Sequence, residues 1–242
     1  MNQVSTGYMA SVHDPVDPSR ISRRALLALG GALALAACSD SFGLSDDDEV
    51  DVSDRDFWST HYPEVELVGD SIFAGTATTL VTTLEGAGVV EANVDAQPGR
   101  RMKVGSGDNG EAFSGAGAIY LSIANGVRPS AWVIELGTND IGKYATAEEY
   151  AAQIDTILAM LPAPVPLVWM NVFVPYEPDH TNMFNMVLQE RINQRGDSAV
   201  ADWYAVASPS DSGLLADTVH PNQDGQRAIA MLVLEALSEL QS

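Results

Sequence analysis

The chain has 242 residues, 46% of them hydrophobic and 19% charged, enough for one domain with a sizeable core plus extra segments. Acidic residues outnumber basic ones 33 to 12, for a net charge of −21. Such a chain is repelled by nucleic acid and by anionic lipid headgroups, which argues against both as electrostatic partners and makes solubility the plain consequence of the acidity. Its one cysteine, Cys38, excludes an internal disulfide.

The first segment reads as an export signal, residues 1–37. Arg20, Arg23 and Arg24 precede an apolar run from Ala25 to Ala37, too short for the ~20 residues a membrane-spanning helix needs but suited to a signal h-region. "SRRALL" resembles a twin-arginine signal, with Leu26 and Ala28 where that pattern usually has Phe and Lys. Leu35-Ala36-Ala37-Cys38 resembles a bacterial lipobox, which implies lipidation of Cys38 and an exported lipoprotein anchored by lipid on the outer face of the cytoplasmic membrane. The plainer alternative is a signal peptide with a chance cysteine. Residues 38–57 follow as an acidic tether, where Asp40, Asp46, Asp47, Asp48, Glu49, Asp51, Asp54 and Asp56 are opposed by Arg55 alone; like charges at this density keep a segment extended and solvated. A calcium loop is the sharper alternative, but no Gly-centred loop with a closing Glu follows.

Residues 58–242 read as the folded domain. Val65–Val68 is a short apolar run, Ser71–Glu85 a helix closed by Gly86, and Val89–Ala96 a second strand. Phe113–Asn125 is helical. "AWVIEL", Ala131–Leu136, is a nearly continuous apolar run, as in a strand covered on both faces. A capping box at Thr146–Glu149 opens a helix to Leu161. The strand Leu167–Val174, the helix Asn182–Gln194, the strand Ala199–Trp203 and the helix Gln223–Leu240 complete the chain. Five strands alternating with helices predict an α/β fold: a three-layer, flavodoxin-like sandwich with a five-stranded parallel sheet and helices on both faces.

In open parallel sheets ligands bind beyond the carboxyl ends of the strands. Ser71 follows the first strand, Gly99 the second, and "GTND", Gly137–Asp140, the third. "DTVH", Asp217–His220, lies in a long loop after the fifth. A serine hydroxyl is a poor nucleophile until a base takes its proton. Of the four histidines, His220 is best placed, because Asp217 three residues earlier reaches Nδ1 of the same ring and leaves Nε2 for Ser71. The Ser71 N–H, the Gly99 backbone and the Asn139 amide would then supply an oxyanion hole. The bland readings are that Asp70 and Ser71 cap a helix, that Asn139 and Asp140 are turn residues, and that Asp217 and His220 are a solvated pair.

These residues carry a resemblance from about Val65 to Leu240. The chain resembles the SGNH hydrolases, or GDSL esterases and lipases, whose four markers match Ser71 in "GDS", Gly99 in "QPGRR", Asn139 in "GTND" and His220 in "DTVH", with Asp217 as the third catalytic residue. "VDAQPGRRM", "NVFVPYEP" and "LLADTVHP" are similar to the extracytoplasmic SGNH domains of bacterial cell-wall O-acetyltransferases, although Asp140 stands where those domains often have Gly. The resemblance implies a serine esterase with no metal or cofactor. It is expected to remove a short, acetyl-like group from a polar carrier such as a glycan, with Tyr176, among polar neighbours in "VPYEP", a candidate substrate contact. Acyl transfer, a lipase or thioesterase, and a non-catalytic glycan-binding or partner-binding lipoprotein are the alternatives.

Overall fold

The structure is a computed structural model that describes residues 60–104, 110 and 113–240. The export signal, Cys38, the acidic tether and Trp58 lie outside the described residues. β1 (Glu64–Gly69), β2 (Glu91–Ala96), β3 (Ala131–Glu135), β4 (Leu167–Met170) and β5 (Ser198–Ala201) form one parallel sheet in the order β2-β1-β3-β4-β5. The helices are α1 (Ser71–Gly86), α2 (Gly115–Ala124), α3 (Ala147–Met160), α4 (Pro178–Arg195), α5 (Trp203–Ala207) and α6 (Gln223–Glu239). Among the described residues no helix is long and apolar enough to cross a membrane.

The alternation of side chains along each strand builds two cores. Val65, Leu67, Val133, Val168 and Met170 face α1, α5 and α6, packing with Phe73, Leu80, Trp203 and Val233. Val68, Trp132, Ile134, Leu167 and Trp169 face α2, α3 and α4, packing with Ile119, Tyr150, Ile154 and Phe184. Both faces are therefore covered, as the apolar runs predict. The chain turns back between β2 and β3, so the carboxyl ends of β1 and β3, adjacent in the sheet, flank the crevice where ligands bind in this topology.

The element boundaries differ from the sequence expectation in three informative places. β4 stops at Met170 rather than Val174. There the Asn185 side chain takes over from a neighbouring strand, accepting from Val172 N at 3.1 Å and donating to Val172 O at 2.8 Å. α4 begins at Pro178, four residues before the predicted start, with the proline in the first turn where its missing N–H costs nothing. The expected strand Ala199–Trp203 ends at Ala201. Asp202 caps a short helix instead, accepting from Ala205 N, and Trp203 turns into the core. The capping box at Thr146 and Glu149 is formed as predicted.

Candidate active site

Ser71 is the first residue of α1, directly after β1. Its N-cap, Asp70, accepts from Ile72 N at 2.9 Å, so the helix start is fixed from within. The Asp217–His220 pair is fixed just as locally. Asp217 Oδ1 accepts from Val219 N at 2.9 Å and His220 N at 2.8 Å, while Oδ2 takes His220 Nδ1 at 2.8 Å. The loop carrying them is tied at both ends by the antiparallel bridge Leu215–Pro221 and by Asn222, which caps α6 through Asp224 N and Gly225 N. The result is a continuous line: His220 Nε2 lies 3.0 Å from Ser71 Oγ. The two backbone N–H groups and the imidazole hold the Asp217 carboxyl down at about 2. Its side chain is 54% exposed and that of His220 45%, so the pair sits at an open rim.

Gly99 and Asn139 are brought beside this line by a set of buried charges. Gln97-Pro98-Gly99-Arg100 forms a turn closed by Arg100 N on Gln97 O at 3.1 Å, with Pro second and Gly99 third at φ 75°, a position that favours glycine. The Arg100 side chain, 4% exposed, anchors it by donating to Gly69 O, Asp95 O, Asp95 Oδ1 and Phe113 O. Arg101 pairs with buried Asp140 at 3.1 Å, and Met102 N donates to the same carboxylate at 2.9 Å. The two arginines of this loop are therefore spent on the fold. At the end of β3, Gly137 has φ 135°, and a Cβ there would run into the Phe184 ring. Next to it, Asn139 donates from Nδ2 to Asp70 Oδ2 at 2.8 Å and to the Arg100 carbonyl at 3.1 Å.

The structure adds residues that the sequence reading passed over. Glu135, the last residue of β3, is buried behind the start of α1 and accepts from Asp70 N at 2.9 Å. Burial, then the facing Asp70 charge, push its carboxyl well above the usual range. Burial also raises Asp70, to about 6, against the pull of hydrogen bonds from Ile72, Glu135 and Asn139. Asp140 is raised by burial too, against Met102 N and Arg101. A lone glutamate inside "AWVIEL" was the available signal. Tyr176 is 65% exposed before α4. His180, in the first turn of α4, lies 3.5 Å from the Tyr150 hydroxyl. Among the described residues no cluster of three His, Cys, Asp or Glu is placed to hold a metal ion.

The profile of the GDSL-like Lipase/Acylhydrolase family matches residues 67–228. The chain belongs to that family. It is a serine carboxylic ester hydrolase by that membership. Among solved structures, the C-terminal catalytic domain of Streptococcus pneumoniae peptidoglycan O-acetyltransferase A (OatA), carrying a methylsulfonyl adduct, is similar over 74% of this chain and 94% of that one, at 21% identity and TM-score 0.58. TesA is similar over 73% and 98%, at 20% identity and TM-score 0.56. An acetyl esterase mutant with an acetate ion is similar over 73% and 96%, at 18% identity and TM-score 0.52. At these identities the likeness is one of fold. A search of curated proteins returns no match.

Proposed function

We propose that this GDSL-family hydrolase cleaves a short acyl ester, acetyl-like, from a polar carrier such as a glycan, through an acyl-serine intermediate on Ser71. The observation that carries the chemistry is the line from Ser71 Oγ to His220 Nε2 at 3.0 Å and from His220 Nδ1 to Asp217 at 2.8 Å. With Nδ1–H donated to the carboxylate, Nε2 is the acceptor for the serine proton. Ser71 Oγ adds to the ester carbonyl as its proton passes to Nε2. The carbonyl C–O bond to the carrier then breaks, and the leaving alcohol takes that proton. Water, deprotonated by Nε2, adds to the acyl-serine, and collapse returns the proton to Ser71 Oγ as the carboxylic acid departs.

The oxyanion formed in both halves is met by the Ser71 N–H, at a helix start with no carbonyl one turn earlier to bond, and by the Gly99 backbone. Asn139 joins by exchanging its bond to the Arg100 carbonyl for the oxyanion, while its bond to Asp70 keeps the amide in place. The polar-carrier reading is supported by exposed Tyr176 near the sheet's carboxyl end and by similarity to a peptidoglycan O-acetyltransferase domain and an acetyl esterase. The acidity opposes strongly anionic polymers as substrates. The Cys38 anchor and the outer face of the cytoplasmic membrane are part of the same proposal. They rest on the signal-like N-terminus, and Cys38→Ser is expected to release the domain from membranes.

The test is a nitrophenyl ester series of rising chain length alongside acetylated sugars. Highest kcat/KM at acetyl or propionyl and release of acetate from the sugars are expected. Preference for acyl chains of about eight carbons or more, with no acetate released, would replace this reading with a lipase or thioesterase.

A further inference from the structure

Four N–H groups at a helix start lack an intrahelical acceptor, and at α1 three of them face a carboxyl. Ile72 N donates to Asp70 Oδ1, Asp70 N donates to Glu135, which comes from a different element, the end of β3, and Phe73 N faces the same carboxyl. The remaining one belongs to Ser71. The Glu135 and Asp70 carboxyls also face each other, and Asp70 Oδ2 holds the Asn139 amide. Two touching carboxyls in a dry site cannot both ionise. Asp70 carries the charge, because it faces the Ile72 and Asn139 donors. Glu135 keeps the proton and donates it to Asp70 while its other oxygen accepts from the helix.

We propose that Glu135 is a positioning residue for the ester hydrolysis at Ser71: it closes the start of α1 so that the Ser71 N–H alone points to the oxyanion, and it holds Asp70 so that Asp70 in turn orients Asn139. The inference rests on the serine-esterase reading and is independent of the carrier. A neutral carboxylic acid used in this way offers one acceptor and one donor, as does a glutamine amide. Glu135→Gln should therefore keep both roles, whereas Glu135→Leu keeps the volume and loses them.

The experiment measures kcat and KM on nitrophenyl acetate, Ser71 labelling by an organophosphonate, and Tm, for wild type and both variants, with Ser71→Ala as the blank. Glu135→Gln is expected within about threefold of wild-type kcat. Glu135→Leu is expected to lose kcat by about 100-fold, the scale of one oxyanion donor, with KM little changed and labelling slowed in parallel. A folded Glu135→Leu with wild-type kcat, or a Glu135→Gln as impaired as the leucine variant, overturns the proposal. Should Glu135→Leu not fold, Asp70→Asn reads the same chain of contacts, because it keeps the Ile72 cap but sets an N–H against the Asn139 amide. A kcat loss of about 100-fold in folded Asp70→Asn supports the proposal, and wild-type kcat overturns it. A wild-type protein that neither turns over nor labels removes the esterase reading and this inference together, whereas an active wild type with an unaffected Glu135→Leu removes only the latter.

Discussion

At the scale of single residues, the site divides into groups that move protons and groups that stay still. Ser71→Ala and His220→Ala should each lower kcat/KM by about 10⁴-fold or more on nitrophenyl acetate, since either change removes the nucleophile or its base. Asp217→Asn should cost less, roughly 10²- to 10³-fold, because the pair is half exposed and water partly screens the imidazolium it stabilises. Turnover above a few per cent of wild type in Ser71→Ala would move the nucleophile elsewhere. The acid side of the pH–rate profile should be steeper than one proton allows. Asp217, held at about 2, stays ionised throughout. Besides the proton that removes the base, Asp70, raised to about 6, takes up one of its own on the acid side and so releases Asn139. The groups facing Asp70 that set this step are Glu135 and Asp140, with Arg101 paired to the latter. A limb of unit slope in log kcat/KM from pH 7 to 4.5, in protein that stays folded, would remove Asp70 from the profile.

At the scale of elements, Arg100 shows how the loop after β2 depends on one side chain. Arg100→Met leaves the Asp95, Gly69 and Phe113 acceptors and the Asp95 charge without their partner. It should destabilise the fold by about 3–5 kcal/mol, the scale for breaking a buried pair, and lower kcat by roughly 10- to 100-fold through displacement of Gly99. Chemical denaturation and steady-state kinetics check the two parts, and an Arg100→Met enzyme of wild-type activity would show that the turn holds without its anchor. The same residue marks the limit of the sequence. Strand and helix periodicity, the Thr146 capping box and the strand-end positions of Ser71, Gly99, Asn139 and His220 could be read because each is a local pattern or an ordered series. The inward aim of Arg100 and Arg101 could not, since a basic run in a Gly-rich loop looks the same whether it meets solvent or buried carbonyls. Glu135 was lost inside an apolar strand for the related reason that its partners, Asp70 and Phe73, lie more than sixty residues earlier. The end of β4 was misplaced because Asn185, a distant side chain, completes the backbone bonding there.

At the scale of the whole molecule, the buried carboxyls should make the protein more stable in mild acid than at neutral pH. Asp70, Glu135 and Asp140 all have folded-state affinities for protons raised above those of an unfolded chain. Between about pH 4 and 6 the folded state therefore binds more protons, and stability falls as pH rises through the folded-state value of Asp70. Relief of self-repulsion in a chain of charge −21 acts in the same direction. Asp217 acts with the opposite sign, its contribution being lost only below about pH 4 on the way to 2. Tm should be a few degrees higher at pH 5.5 than at pH 8, a range over which activity falls, so that the fold and the reaction favour different conditions; a Tm that rises steadily from pH 5 to 8 would contradict this. The contact between Ser71 and His220 spans 149 positions of chain, and α6 anchors the loop that supplies the base. On the proposed mechanism, a growing or refolding polypeptide should have no catalytic power until its C-terminal helix docks on α1, which would make ester cleavage a reporter of complete folding. In a refolding experiment hydrolysis should return with the last structural phase, and a chain cut before Gln223 should stay silent toward esters.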